Sequence, residues 1–237
     1  MEWLFGEAGR YIDGEKGIRQ MIVYFIRHGK TNLNLEKRIS GARTDAPLSD
    51  KGIAELKEYV KEKIYPSDPG NCYTSDLKRT WQTIQAIYPE RSYKHTVLLN
   101  ERDFGEIETE TDKHKIIQWR KSIFDEKGNE REEVFGKGEC TRVFAERVER
   151  DFHKFLEQRF ANGEQRITIC GHGAYLRQIG ANYGLGQLGD YKYLICNGKG
   201  LVFDVIRTDM GKYSLQIVDF VGGKHMEDVM EVRQSLE

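Results

Sequence analysis

Much of what would assign this chain to a broad class is missing from it. No apolar run is long enough to span a bilayer. Neither sign of charge dominates: 37 Lys and Arg stand against 38 Asp and Glu, a net charge of −1. That balance argues against broad binding to nucleic acid or to a membrane surface, and confines any positive field to a local patch. Cysteine is scarce. Cys72, Cys140, Cys170 and Cys196 show no CxxC or metal-ligand spacing, so they read as small buried hydrophobes in a reducing cytoplasm. Residues 1–20 have no basic start and no apolar core beyond Trp3-Leu4-Phe5, which argues against a secretory signal. Internal repeats and low-complexity tracts are also missing.

What is present suits an ordinary α/β domain. The 237 residues are 38% hydrophobic, enough for one core with or without a cap. Residues 1–20 read as an N-terminal extension, 21–221 as the domain with a cap or lid inserted at about 105–139, and 222–237 as a tail. Met21-Ile22-Val23-Tyr24-Phe25-Ile26 and Ile167-Thr168-Ile169-Cys170 are short β-rich runs of the kind buried in parallel sheets. Ile53, Leu56, Val60 and Ile64 recur at helical spacing behind a Ser49 cap. Asn71-Cys72-Tyr73-Thr74 predicts a strand. Ser75 is the expected cap of the next helix, whose buried stripe would be Leu77, Trp81, Ile84 and Tyr88. Residues 93–98 predict a strand, 113–122 a helix, and Asp125 to Glu139 a mobile surface loop. The clearest helix is 140–161, with Phe144, Val148, Phe152, Phe155 and Phe160 on one face and Asn162-Gly163 at its end. A helix over about 174–183 and strands near 200–207 and 212–220 complete the domain. Met226, Val229, Met230 and Leu236 suggest a loosely docked tail helix. Strands alternating with helices predict a three-layer α/β/α sandwich with a mostly parallel central sheet and an inserted helical or loop cap.

Arg27-His28-Gly29 directly follows the first β-rich run, and His172-Gly173 follows Gly171 at the end of another. Ligands collect at the carboxyl ends of such strands. Two imidazoles and a guanidinium delivered there suit an anion, phosphate above all. A histidine can attack phosphorus if one ring nitrogen is bare and the other donates to a fixed acceptor. Gly29 would leave room for a phosphoryl group near backbone amides. His172, just before a helix, would meet the same anion near N–H groups at the helix start. Arg79 falls in the first turn of the helix after a strand. Glu101 has the apolar neighbours Leu98, Leu99 and Phe104, a setting suited to general acid work.

Arg27-His28-Gly29-Lys30-Thr31 followed by Asn34 resembles the signature of the histidine phosphatase superfamily, also called the phosphoglycerate mutase-like family. Further blocks resemble the family's in the same order: Ser40-Gly41, Leu48 to Gly52, Thr74 to Thr83, Leu99 to Gly105, and Gly171 to Arg177. The resemblance spans roughly 21–220. It implies that His28 is the phosphorylated nucleophile, that Arg27, Arg79 and His172 form the phosphate pocket with it, and that Glu101 is the proton donor. It places Gly29, Asn34, Ser40, Gly41 and Gly173 where substrate or phosphate is contacted. It implies a small phosphorylated substrate and no metal.

Phosphatase and mutase differ in what accepts the phosphoryl group. The interval from Glu101 to Trp119 is short, Trp119-Arg120-Lys121-Ser122 has lysine where mutases resembling it pair arginines, and Ala174 follows His172-Gly173 where they carry a polar residue. These features favour a phosphatase. The alternatives are a phosphoglycerate mutase, which would need 2,3-bisphosphoglycerate as primer, an inactive phospho-ligand binding module, and a metal-dependent hydrolase. Gly184-Leu185-Gly186-Gln187-Leu188-Gly189 matches GxGxxG but follows a predicted helix, not a strand, and so reads as a helix exit. His95, His114, His153 and His225 show no metal-ligand spacing. The sequence leaves the natural substrate and the oligomeric state open.

Overall fold

The computed structural model describes residues 19–122, 137–208 and 210–232, without the side chain of Arg120. The expected extension as far as residue 18, most of the stretch read as a mobile loop (123–136) and the tail from 233, Leu236 included, lie outside the described residues. β1 (Arg19–Arg27) leads into one-turn α1 (Asn32–Leu35), α2 (Asp50–Lys61), β2 (Asn71–Thr74), α3 (Lys78–Ile87) and β3 (Tyr93–His95). Next come α4 (Lys113–Ser122), α5 (Thr141–Ala161), β4 (Arg166–Gly171), α6 (Gly173–Asn182) and β5 (Tyr193–Ile195). The chain closes with β6 (Gly200–Arg207), β7 (Tyr213–Val221), one-turn α7 (Met226–Val229) and β8 (Met230–Val232).

One sheet runs in the order β3-β2-β4-β1-β6-β7. The four strands β3, β2, β4 and β1 are parallel, while β6 and β7 add an antiparallel margin. Alternation along β1 sorts its side chains between two faces. Met21, Val23 and Phe25 pack with Phe144, Val148, Phe152 and Phe155 of α5 and with Tyr175 and Ile179 of α6. Ile22, Tyr24 and Ile26 pack on the other side, with Leu56 of α2 and Ile87 of α3. The result is a mixed α/β fold, a mostly parallel sheet between helical layers.

The caps that position the site are local. Ser49 Oγ accepts the Gly52 N–H at 3.0 Å to start α2. Gly163, at φ +69°, takes the left-handed turn that ends α5. Four expectations need correction. Ser75 does not cap α3: the cap residue is Leu77, with no side-chain bond, because the Ser75 hydroxyl is engaged elsewhere. The buried face of α3 keeps Leu77 and Ile84 of the expected stripe but is completed by Arg79, Thr80, Thr83 and Ile87, with Trp81 and Tyr88 only half-buried. The strand expected over 93–98 stops at His95, where the Thr96 hydroxyl accepts the Leu98 N–H and turns the chain into a 3₁₀ helix, Val97–Leu99. In the described part of the tail only one turn, α7, is helical, and it is not loose. Val229 is fully buried, and β8 pairs antiparallel with β5. The GxGxxG segment does follow α6, with Gly184 and Gly186 at positive φ and a 3₁₀ turn at Gly186–Gly189.

Candidate active site

Strand register assembles the site. Arg27 pairs with Gly171 across β1 and β4, so His28 and His172 are the next residues along two adjacent parallel strands. On the far side of β4, Thr74 of β2 pairs with Cys170, which brings Ser75 to the same edge. The rings of His28 and His172 lie edge to face, centroids 5.4 Å apart. Both are buried.

His28 is gripped from several directions. Its Nδ1 lies 2.7 Å from the Gly29 carbonyl. A carbonyl only accepts, so Nδ1 carries the proton and Nε2 is left bare. The His28 carbonyl accepts from Asn197 Nδ2 at 2.8 Å, and its N–H continues the sheet ladder to Gly171. Burial, then the charges of Arg79 and Arg27, hold its pKa well below the usual 6.5, against an opposing pull from the Gly29 carbonyl. His172 is shifted the same way, by burial first and then by Arg79, His28 and Arg27. Its Nε2 is 2.7 Å from Ser75 Oγ, whereas its Nδ1 is buried with no partner.

Arg79 is fully buried. It donates to the carbonyls of Thr44 at 2.7 Å and Gly41 at 3.0 Å, and its Nε has no partner. Glu101, Glu108 and Asp45 are the acidic groups that act on its charge. Arg27 donates to the Ile195 carbonyl. A Cβ on Gly173 would stand 3.2 Å from Arg27 Nε, so this glycine lets the guanidinium lie against the start of α6. Glu101 occupies that start. Its carboxylate accepts the N–H groups of Ala174 at 3.1 Å, Tyr175 at 3.0 Å and its own neighbour Arg102 at 2.9 Å. Of the N–H groups expected to meet an anion here, those of Ala174 and Tyr175 are therefore taken by the Glu101 side chain.

The remaining expected residues divide. Ser40 Oγ is buried and has no partner. The side-chain oxygen of Asn34 is turned back to Thr31, whose N–H and hydroxyl it accepts in a capping box. Gly41 and Gly29 are structural in these contacts. The Gly41 N–H donates to Glu108, and a Cβ there would meet the Arg102 carbonyl and Glu108 at 2.4 Å. The Gly29 N–H donates to Thr83 Oγ1, and a Cβ there would meet Leu56 at 2.8 Å. On the side a Cβ would take, Gly29 is thus closed off by α2. Sequence reasoning missed Glu108, Asn197, Thr83 and the engagement of Ser75 with His172. Only Thr83 carried a local signal, lying one helical turn beyond Arg79. Among the described residues, no group of three or more His, Cys, Asp and Glu has the geometry to hold a metal ion. No described helix is long and apolar enough to cross a membrane.

The profile of the histidine phosphatase superfamily (branch 1) matches residues 23–214. The chain belongs to this superfamily. The match therefore takes in His28, Arg79, Glu101 and His172. A 2,3-bisphosphoglycerate-dependent phosphoglycerate mutase from Parvibaculum lavamentivorans is 27% identical over 174 residues, 67% of this chain and 77% of the relative. The mouse fructose-2,6-bisphosphatase TIGAR is 36% identical over 89 residues, 34% of this chain, and the match spans about a third (32%) of that protein's length. The crystal structure of a phosphoglycerate mutase from Bacillus anthracis superposes with a TM-score of 0.67 at 19% identity, covering 85% of this chain and 94% of the other. That likeness establishes the shared fold.

Proposed function

We propose that this protein is a phosphomonoesterase that works without a metal, through a phosphohistidine at His28, on a small phosphorylated metabolite. The observation that carries the reading is the pair of rings. His28 has its Nδ1 proton tied to the Gly29 carbonyl and Nε2 bare, and its ring centroid lies 5.4 Å from that of His172, whose Nδ1 has no protein partner. One nitrogen is prepared to attack, and a second polar atom waits beside it for an oxygen. Arg27, Arg79 and His172 would hold the phosphoryl dianion and supply the positive charge that phosphoryl transfer needs.

In this reading the Nε2 lone pair bonds to phosphorus while the bond from phosphorus to the ester oxygen breaks. Glu101, entering the step as the carboxylic acid, gives its proton to that leaving oxygen. Water then attacks phosphorus, Glu101 takes back a proton, and the P–N bond breaks to return neutral His28 and inorganic phosphate. Ser40, with its buried unpartnered hydroxyl, would add a donor to the pocket.

The test is hydrolysis of p-nitrophenyl phosphate in EDTA near neutral pH, with acid-labile phosphate trapped on His28. Turnover in EDTA with the label lost in His28→Ala supports the reading. Absence of both favours a binding module, and activity abolished by EDTA favours a metal-dependent hydrolase. The match to the Parvibaculum mutase keeps a second reading open. Transfer of phosphate between carbons of a phosphoglycerate, dependent on 2,3-bisphosphoglycerate and without net phosphate release, would establish the mutase instead.

A further inference from the structure

Ser75 lies at the carboxyl end of β2, one strand over from His172, and is fully buried. Its hydroxyl has one proton and two lone pairs to place. The Leu77 N–H donates to Ser75 Oγ at 3.2 Å. Two neighbours compete for the Ser75 proton: His172 Nε2 at 2.7 Å and Thr80 Oγ1 at 3.1 Å. Thr80 has carbonyl acceptors for its own proton, Leu77 O at 2.8 Å and Ser75 O at 3.1 Å. The imidazole nitrogen is both the nearer acceptor and the stronger base.

We propose that Ser75 is a positioning residue that fixes the tautomer of His172. By donating to Nε2 it forces the single proton of the neutral ring onto Nδ1, so that the pocket is offered an N–H rather than a lone pair. The opposite tautomer would aim a lone pair at an oxyanion and repel it. His28 and His172 then share one tautomer but turn opposite ends to the site: His28 presents its bare Nε2 as nucleophile, His172 its Nδ1–H as donor. The inference rests on the reading of His172 as a phosphate ligand, and it adds the residue that makes it one.

The experiment is long-range ¹⁵N–¹H NMR of the imidazoles in the full chain, with His172 among the six histidines assigned by its loss in His172→Asn. In the wild-type protein Nδ1 should show the protonated shift and Nε2 the unprotonated one. In Ser75→Ala that pattern should move toward Nε2–H, and kcat/KM should fall about 10–100-fold, the scale seen when the orienting partner of a ligating histidine is lost. The loss should fall in kcat as well as in KM, because the donor acts on the transferring group. Ser75→Thr, which keeps the hydroxyl, should restore the Nδ1–H pattern and part of the rate. A wild-type ring with bare Nδ1 overturns the proposal even if Ser75→Ala does not fold. So does a Ser75→Ala protein with an unchanged tautomer. A wild-type chain that shows the expected tautomer but no phosphate transfer would sustain the Ser75 assignment and remove the phosphatase reading.

Discussion

Glu108 Oε2 accepts the N–H of Gly41 at 3.0 Å, and the same oxygen takes the Arg43 N–H at 3.1 Å and the Thr44 hydroxyl at 2.8 Å. Its other oxygen accepts the Phe104 N–H at 3.0 Å. The loop after Ser40 is strung on one buried carboxylate. From its other side, the carbonyls of Gly41 and Thr44 receive Arg79. Glu108 thus sets the place of Arg79 without touching it. Burial pushes its pKa up, and the bonds from Thr44, Phe104 and Gly41 pull it back.

Glu108→Ala should therefore release the loop. Each donor left buried and unpaired costs ~1–3 kcal/mol, and every 1 kcal/mol lowers Tm by about 2–4 °C in a chain of this size. KM for a phosphate ester should rise more than kcat falls, since the pocket loosens while His28 stays in place. Calorimetry with steady-state kinetics checks this. A lowered Tm with unchanged KM would show that the loop does not control Arg79.

Glu101 can be tested through its geometry. Its two oxygens accept three backbone N–H groups, so Glu101→Gln must turn an NH₂ toward at least one of them. Two consequences should separate. The clash at the start of α6 should lower stability by ~1–3 kcal/mol. The missing proton should slow esters with poor leaving groups by ~10²–10⁴-fold while sparing p-nitrophenyl phosphate, whose phenolate leaves unaided. Equal slowing of both substrates would sink the proton-donor role.

The parallel core of the sheet and the placing of His28 and His172 were legible because they follow from short-range pattern. The apolar run of β1, the run before Gly171 and the aromatic face of α5 each reflect burial of a local surface. Ser75 was misread because a serine before a helix is a cap only if nothing nearer claims its hydroxyl, and the claimant arrives from β4 through sheet register. Glu108 was invisible for a similar reason. It lies among Glu106 and Glu110, which are not buried, and only the return of the loop from Ser40 distinguishes it. Gly29 was expected to leave room for a phosphoryl group and Gly41 to contact phosphate or substrate; the neighbours that crowd their Cβ positions are Leu56 and, with the Arg102 carbonyl, Glu108.

The glycine opening of α2 yields a sharper contrast. The Lys30 carbonyl, two residues after His28, accepts both the N–H and the hydroxyl of Ser49 at 2.9 Å. A Cβ on Gly52 would stand 2.1 Å from that oxygen. Ser49→Ala should cost ~0.5–2 kcal/mol as a lost cap with little change in kcat, since the Ser49 N–H still holds Lys30. Gly52→Ala must push α2 off the strand end, and overpacking of this kind costs ~1–3 kcal/mol. Because Leu56 of α2 also abuts Gly29, the displacement should lower kcat as well. Denaturant melts paired with kinetics separate the two, and equal kcat in both variants would mean that α2 does not brace His28.

The two histidines also fix a direction for pH. Burial and the neighbouring arginines depress both folded pKa values below 6.5, so the unfolded chain binds more protons than the folded one as pH falls through that value. The stability these groups contribute is present in full above pH 6.5 and is lost as pH drops toward the folded values. The same depression keeps Nε2 of His28 unprotonated. The acid limb of kcat/KM, which reports the free enzyme, should therefore lie below 6.5 once the ester's own ionisation near pH 6 is allowed for. Guanidinium melts at about pH 5 and about pH 7 should show a larger loss on acidification in the wild type than in His172→Asn, which has one fewer buried ring to protonate on unfolding. A wild-type acid limb above 6.5 would mean that His28 is charged at rest, and that the arginines and the low-dielectric wall around it do not set its protonation.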